Sequence, residues 1–148
     1  MAKFGVKIYG ADAIIKRLEA SPKKMFDESK LIIDAAVIEI AAKAKQEVPV
    51  KTGALRGSIR HAKYQPGKGA SVSAGNTNIG YAPYVEFGTG TRFQIPVYPN
   101  INMSDLEAYA LTFKKSKKVI GVPYRPYMFS AYSEVFTSMI KKLKSVKI

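Results

Sequence analysis

Few side chains in this sequence are equipped for acid–base or nucleophilic chemistry. The chain has no cysteine and one histidine, His61. The first fact excludes a thiolate nucleophile, a disulfide framework and a Cys-ligated zinc or iron–sulfur site. The second excludes a multi-histidine metal centre. His61 has Arg60 and Lys63 nearby and no carboxylate close in sequence, so it reads as a surface histidine at a strand end. Glu86 is the only acid between residues 48 and 104 and sits in an aromatic stretch. It reads as a partly buried carboxylate paired with an arginine, since nothing specific supports a paired-carboxylate site. No G-x-x-x-x-G-K-[ST] loop, G-x-G-x-x-G fingerprint or G-x-S-x-G elbow is present. Gly88-Thr89-Gly90 lacks a third glycine and reads as a turn. The expectation is a protein without catalytic residues, cofactor or metal.

Charge supplies what catalysis does not. The 148 residues carry 24 Lys+Arg against 11 Asp+Glu, a net charge of +13. The excess is uneven: +2 over residues 1–50, +5 over 51–104 and +6 over 105–148. Such a surface attracts nucleic acid or an acidic protein face, and salt weakens the attraction. Lysine outnumbers arginine, and lysine is a point charge rather than a bidentate reader of bases. Sequence-specific DNA recognition is therefore disfavoured, and non-specific contact with DNA stays open. Hydrophobic residues form 47% of the chain, enough for a core. The length predicts one domain over 1–148. The most apolar stretch, Leu31 to Ala44, is interrupted by Asp34, Glu39 and Lys43 and is shorter than the ~20 residues of a membrane span. The N-terminus lacks a signal-peptide pattern, so a soluble intracellular product is expected.

The elements that must position these residues can be read from periodicity. Phe4 to Tyr9 alternates as a half-buried strand. Asp12 caps a short helix to about Ala20, with Ile14, Ile15 and Leu18 as its apolar face. Ser21-Pro22 then opens a long helix to Glu47, Asp27 and Glu28 lying in its first turn and Pro49 stopping it. Its apolar positions are Phe26, Ile33, Val37, Ile40, Ala41 and Ala44, and four alanines between 35 and 42 permit a close approach. Leu55 to Tyr64, Ala70 to Gly75 (an exposed strand) and Ile79 to Phe87 read as strands, with Pro83 bending the last or placing it at an edge. Residues 91–122 read as a long surface excursion holding a short helix, Asp105 to Phe113, capped by Ser104. This excursion and the Gln65–Gly69 tip are the candidates for ordering only on docking. A final helix, Tyr127 to Lys144, carries Phe129, Tyr132, Phe136, Ile140 and Leu143 on one face. The fold class is α+β: an antiparallel β-sheet packed by a long N-terminal-half helix and a C-terminal helix.

Three segments carry more information together than apart. They are Val48-Pro49-Val50-Lys51-Thr52-Gly53-Ala54-Leu55-Arg56-Gly57-Ser58-Ile59, Tyr81-Ala82-Pro83-Tyr84-Val85-Glu86-Phe87-Gly88-Thr89-Gly90 and Arg125-Pro126-Tyr127-Met128. In that order, after a long amphipathic helix, they resemble the neck or tail-completion (head–tail joining) family of long-tailed bacteriophages. The resemblance spans about residues 4–145. It implies helices on an antiparallel sheet, no catalysis, and a ring-forming structural protein between the DNA-filled head and the tail. The stretch Arg92 to Val122 is longer than the family's usual link.

The residues read consistently with that role. Thr52 and Gly53 provide a hydroxyl cap and a flexible turn; Arg56 and Arg60 share parity on the strand that follows. Tyr84, Glu86 and Gly88 share parity on another, with Phe87 facing the opposite way as either core or interface. Arg125 is a candidate partner for Glu86, within one subunit or across an interface, and Arg125-Pro126-Tyr127 fixes entry to the last helix. The expected interface set is Lys51, Thr52, Gly53, Arg56, Arg60, Tyr84, Glu86, Phe87, Gly88, Arg125, Pro126 and Tyr127. The expected partners are other copies in a homo-oligomeric ring (hexamer, or dodecamer by analogy with portals), connector or adaptor proteins, and tail-tube or tail-terminator proteins. Contact with double-stranded DNA in the channel is open; no membrane is involved. The expected location is the virion neck or tail, after assembly in the host cytoplasm. The rival reading is a basic, non-specific nucleic-acid-binding module.

Overall fold

The computed structural model describes residues 4–7, 16, 17, 19–50, 53–66, 69–76, 79–89, 92–98, 101–114 and 123–146. The helical spacing between Phe26 and Ala44 builds the longest element, α1 (Lys23–Glu47). Ile33, Val37, Ile40, Ala41 and Ala44 are buried along one face, each large one stabilising the fold by about 1.5–3 kcal/mol. The helix ends at Val48, which turns extended ahead of Pro49 while its N–H still donates to the Ala44 carbonyl at 2.9 Å. Its start differs from the expectation by one position. Pro22 occupies the capping position, and the Ser21 hydroxyl donates back to the Arg17 carbonyl instead. Asp27 and Glu28 consequently fall beyond the first turn, where the helix dipole acts less. Lys16, Arg17 and Glu19 are helical, whereas Asp12, Ile14, Ile15 and Leu18 lie outside the described residues.

Three antiparallel strands, β1 (Phe4–Lys7), β2 (Arg60–Gln65) and β3 (Gly69–Ala74), form a sheet in the order β1-β3-β2. β3 is thus the central strand and not an exposed one. Val72 pairs with Val6 on one side and His61 on the other. Ala70, Val72 and Ala74 face the core, and Gly69, Ser71 and Ser73 the other side. β2 is an edge whose residues other than Tyr64 are exposed, and its charged Arg60, His61 and Lys63 discourage edge-to-edge pairing. α1 lies against β2 and β3. The Tyr64 N–H donates to Asp34 Oδ1 at 2.8 Å, tying strand to helix.

Two segments expected as strands are helical. Leu55 to Tyr64 divides into α2 (Ala54–Ser58), extended Ile59, and β2. Gly53, in the left-handed region at φ +83°, lets the chain turn from α1 into α2. The Ser58 hydroxyl donates to the Leu55 carbonyl at 2.7 Å and closes that turn. Ile79 to Phe87 begins with a bridge to Asn76 and then forms α3 (Ala82–Phe87). Pro83 sits in its first turn, where no N–H is needed, and Gly88 ends it at φ +75°.

The described part of the expected excursion, residues 92–98 and 101–114, packs on the core, and the short helix expected within it is present. This helix is α4 (Met103–Leu111), capped by Asn102 rather than Ser104: the Asn102 side chain accepts from the N–H groups of Ser104 and Asp105. Leu106 and Ala110 are buried, and Phe93, Ile95, Tyr98, Ile101 and Tyr109 pack on the core. Residues 115–122 lie outside the described residues, as do 67 and 68 at the tip between β2 and β3.

α5 (Met128–Lys144) closes the fold. It runs antiparallel to α1, since Ser130 donates to Glu47 at 2.6 Å and Lys43 meets Glu134 at 3.1 Å. Phe129, Tyr132 and Leu143 are buried as the periodicity requires, with Met128, Ala131, Val135 and Met139 beside them.

Candidate functional site

The second and third sequence segments meet in the interior, and the residue that joins them is Glu86. α3 carries its side chain inward until it is fully buried, with 0% exposure. There Oε2 accepts the N–H groups of Tyr127 and Met128, both at 2.9 Å, and Oε1 accepts that of Phe129 at 3.0 Å. These are N–H groups at the start of α5, which have no partner within their own helix. A carboxylate there also suits the positive end of the helix dipole. Burial pushes the Glu86 carboxyl up to about 7; the three N–H bonds oppose that rise and the Glu47 charge adds to it.

The clasp is reinforced on both sides. The Arg125 N–H donates to the Val85 carbonyl at 2.8 Å. The Tyr127 hydroxyl donates to the Ala82 carbonyl at 3.0 Å, at the opposite end of α3. Burial drives that phenol far above its ordinary value, so it stays a donor. Phe87, 1% exposed, packs in tilted ring contacts 5.9 Å from Phe129 and 6.1 Å from Phe93.

The first segment joins the same construction through Gly75. Its N–H donates to Ser58 Oγ at 2.8 Å. A Cβ at Gly75 would lie 2.6 Å from the Ile79 carbonyl oxygen and 3.1 Å from Ala82 Cβ. Glycine is therefore required, both by φ +84° and by the closeness of α3. Ser58, Gly75, Ala82, Glu86 and Tyr127 thus link α2, the end of β3, α3 and α5.

Several expectations about these residues need correction. Glu86 is wholly buried and bonded to backbone, not paired with an arginine; the Arg125 side chain is exposed while its backbone holds α3. Tyr84, Glu86 and Gly88 do not share a strand face, because α3 turns each about 100° per residue. Tyr84 is half-buried and Glu86, Phe87 and Gly88 are buried. Arg56 and Arg60 do not share a strand: Arg56 is exposed on α2, and Arg60 opens β2 with Nη1 donating to the Gly57 carbonyl at 2.6 Å. Gly53 and Pro126 are partly exposed, and Tyr127 is buried. Lys51 and Thr52 lie outside the described residues. Exposed large apolar residues outside the expected interface set are Leu31, Ile38, Val50, Tyr81, Val97 and Leu111. Among the described residues, no group of three His, Asp or Glu could hold a metal ion, and no helix is long and apolar enough to cross a membrane.

A long helix, a small antiparallel sheet and two segments locked around a buried carboxylate, with the first held beside them through Gly75, make up this module. The family model described as "Bacteriophage HK97-gp10, putative tail-component" matches residues 12–88, just over half of the chain. The chain belongs to this family of phage tail components. The match takes in α1, the sheet strands β2 and β3, and α3 up to its terminal Gly88; the α5 end of the clasp lies beyond it. No curated protein and no solved structure matches the chain.

Proposed function

We propose that this chain is a virion structural protein of the head–tail junction, acting in neck formation, tail completion or tail termination as an oligomeric ring. What supports this reading is the family match over residues 12–88, a family described as a phage tail component. In the Glu86 clasp the single acid of the central segments caps α5 and is buried away from solvent. The same clasp sets the entry to α5 and leaves Arg125 exposed beside it. In a ring, that surface meets a different surface of the next subunit, as closed cyclic symmetry requires. The interface set keeps Lys51, Thr52, Gly53, Arg56, Arg60, Tyr84, Arg125 and Pro126 as candidate contacts, while Glu86, Phe87 and Tyr127 hold together α3 and the start of α5, which carry Tyr84 and Arg125. The net charge of +13 favours acidic neighbouring proteins, or DNA phosphates in the channel.

Disrupting the gene in the phage tests this reading. The expected result is an accumulation of filled heads and separate tails that purified protein joins in vitro. Normal particles without the protein would refute it. The nucleic-acid module instead predicts tight DNA binding by the isolated chain, falling steeply with salt.

A further inference from the structure

α1 has two apolar faces, and only one is used in the core. On the side away from Ile33, Ala36, Val37 and Ile40, the residues Leu31, Ala35, Ile38 and Ala42 are exposed. Leu31 is 69% exposed and Ile38 44%. Their spacing of four, three and four is the period of a coiled-coil seam. At the same spacing Glu28 precedes the series and Lys45 follows it. The order is therefore acid, large, small, large, small, base.

That series complements its own reverse. Laid antiparallel about an axis between residues 36 and 37, Leu31 falls on Ala42, Ala35 on Ile38, and Glu28 on Lys45. Every large side chain meets a methyl group, and every charge meets its opposite. A parallel pair would instead set Leu31 on Leu31, Glu28 on Glu28 and Lys45 on Lys45. We infer that the solvent face of α1 docks on the same face of a second copy of this chain, as a two-fold antiparallel pair. A groove of about 230 Å³ between α1 and α5, lined by Leu31, Ala35, Val135 and Met139 together with Glu39 and Lys142, widens the contact on one side.

The seam spans few turns and buries less than the roughly 800 Å² per partner of a standard interface. The pair therefore forms at high protein concentration and exchanges readily. It is isologous, whereas a closed ring is heterologous, so it uses a surface separate from the proposed ring contact. Its test is correspondingly independent of where the protein sits in the particle.

The absence of native cysteine makes cross-linking clean. Leu31→Cys and Ala42→Cys variants of the full chain are oxidised mildly, each alone and then mixed. Positions 31 and 42 are about 16 Å apart along a helix, beyond the roughly 7 Å that a disulfide spans between Cα atoms. The antiparallel pair predicts disulfide dimer in the mixture, about tenfold above either variant alone. Equal yields in all three samples, or none in any, would overturn the inference. Glu28→Lys and Lys45→Glu should each weaken dimerisation about tenfold by sedimentation equilibrium, since the pair occurs twice. Combining them restores it, with unchanged circular dichroism throughout. A double variant as weak as the single ones would also overturn the pairing.

Discussion

Replacing Glu86 by glutamine isolates the contribution of one buried charge. The folded chain holds this carboxyl at about 7, against an ordinary value of 4.5. Between those two values the folded protein keeps a proton that the unfolded chain has released. Its contribution to stability is thus complete below about pH 4.5 and is lost as the pH rises through about 7. The difference corresponds to about 3 kcal/mol, a large share of the roughly 5–15 kcal/mol that stabilises a domain. Glu86→Gln has no such proton to lose. Its amide resembles the protonated acid, with one good acceptor and one donor facing the N–H groups of Tyr127, Met128 and Phe129. The assay is urea denaturation of both proteins, followed by far-UV circular dichroism, from about pH 4.5 to about pH 8. Subtracting the two curves cancels every surface carboxylate they share. The stability of the native protein relative to Glu86→Gln should fall by about 3 kcal/mol across that range. A flat difference would refute the reasoning. A rising one would mean that the three N–H groups and the dipole of α5 outweigh burial and hold the carboxylate ionised.

Other substitutions test the rest of the framework. Glu86→Ala strands three buried N–H groups and should lower stability by about 3–5 kcal/mol in denaturant titrations, while Tyr127→Phe, losing one hydroxyl bond to Ala82, should lower it by about 1 kcal/mol. Gly75→Ala should cost about 2–3 kcal/mol because its Cβ has no room and its φ is positive. Gly57→Ala, in open space on helix α2, should be neutral or gain up to about 1 kcal/mol by the same measurement. Ser29 is buried with no hydrogen-bond partner for its hydroxyl, so Ser29→Ala should raise the melting temperature.

The long helices were legible because their apolar period persists over many turns. Lys23–Glu47 and Met128–Lys144 begin within one residue of where Pro22 and Tyr127 suggest. The two shortest helices were not, whereas the helix expected over Asp105 to Phe113 is present as α4. Five or six residues, as in α2 and α3, give little more than one turn of period, too short for the three-residue spacing of Tyr81, Tyr84 and Phe87 to announce a helix. Pro83 near the start and Gly88 at the end of α3 carry the asymmetry that marks a helix, which Pro83 alone does not reveal. Asn102 and Asp105 similarly mark the start of α4 more strongly than Ser104. The importance of Glu86 was visible from its isolation among aromatics, but its partner was not. An arginine in the third segment is an obvious counter-charge in sequence, whereas the backbone N–H groups at a helix start carry no letter of their own.

Electron cryo-microscopy of the head–tail junction in purified phage particles tests the central claim most directly. The account predicts this chain as a closed ring on the particle axis, with α3 and the Arg125 entry to α5 at or beside the subunit contact. The same map would show whether Arg56, Arg60 and the lysines of α5 face DNA or neighbouring proteins. Particles lacking the chain, or holding it away from the axis, would contradict the account.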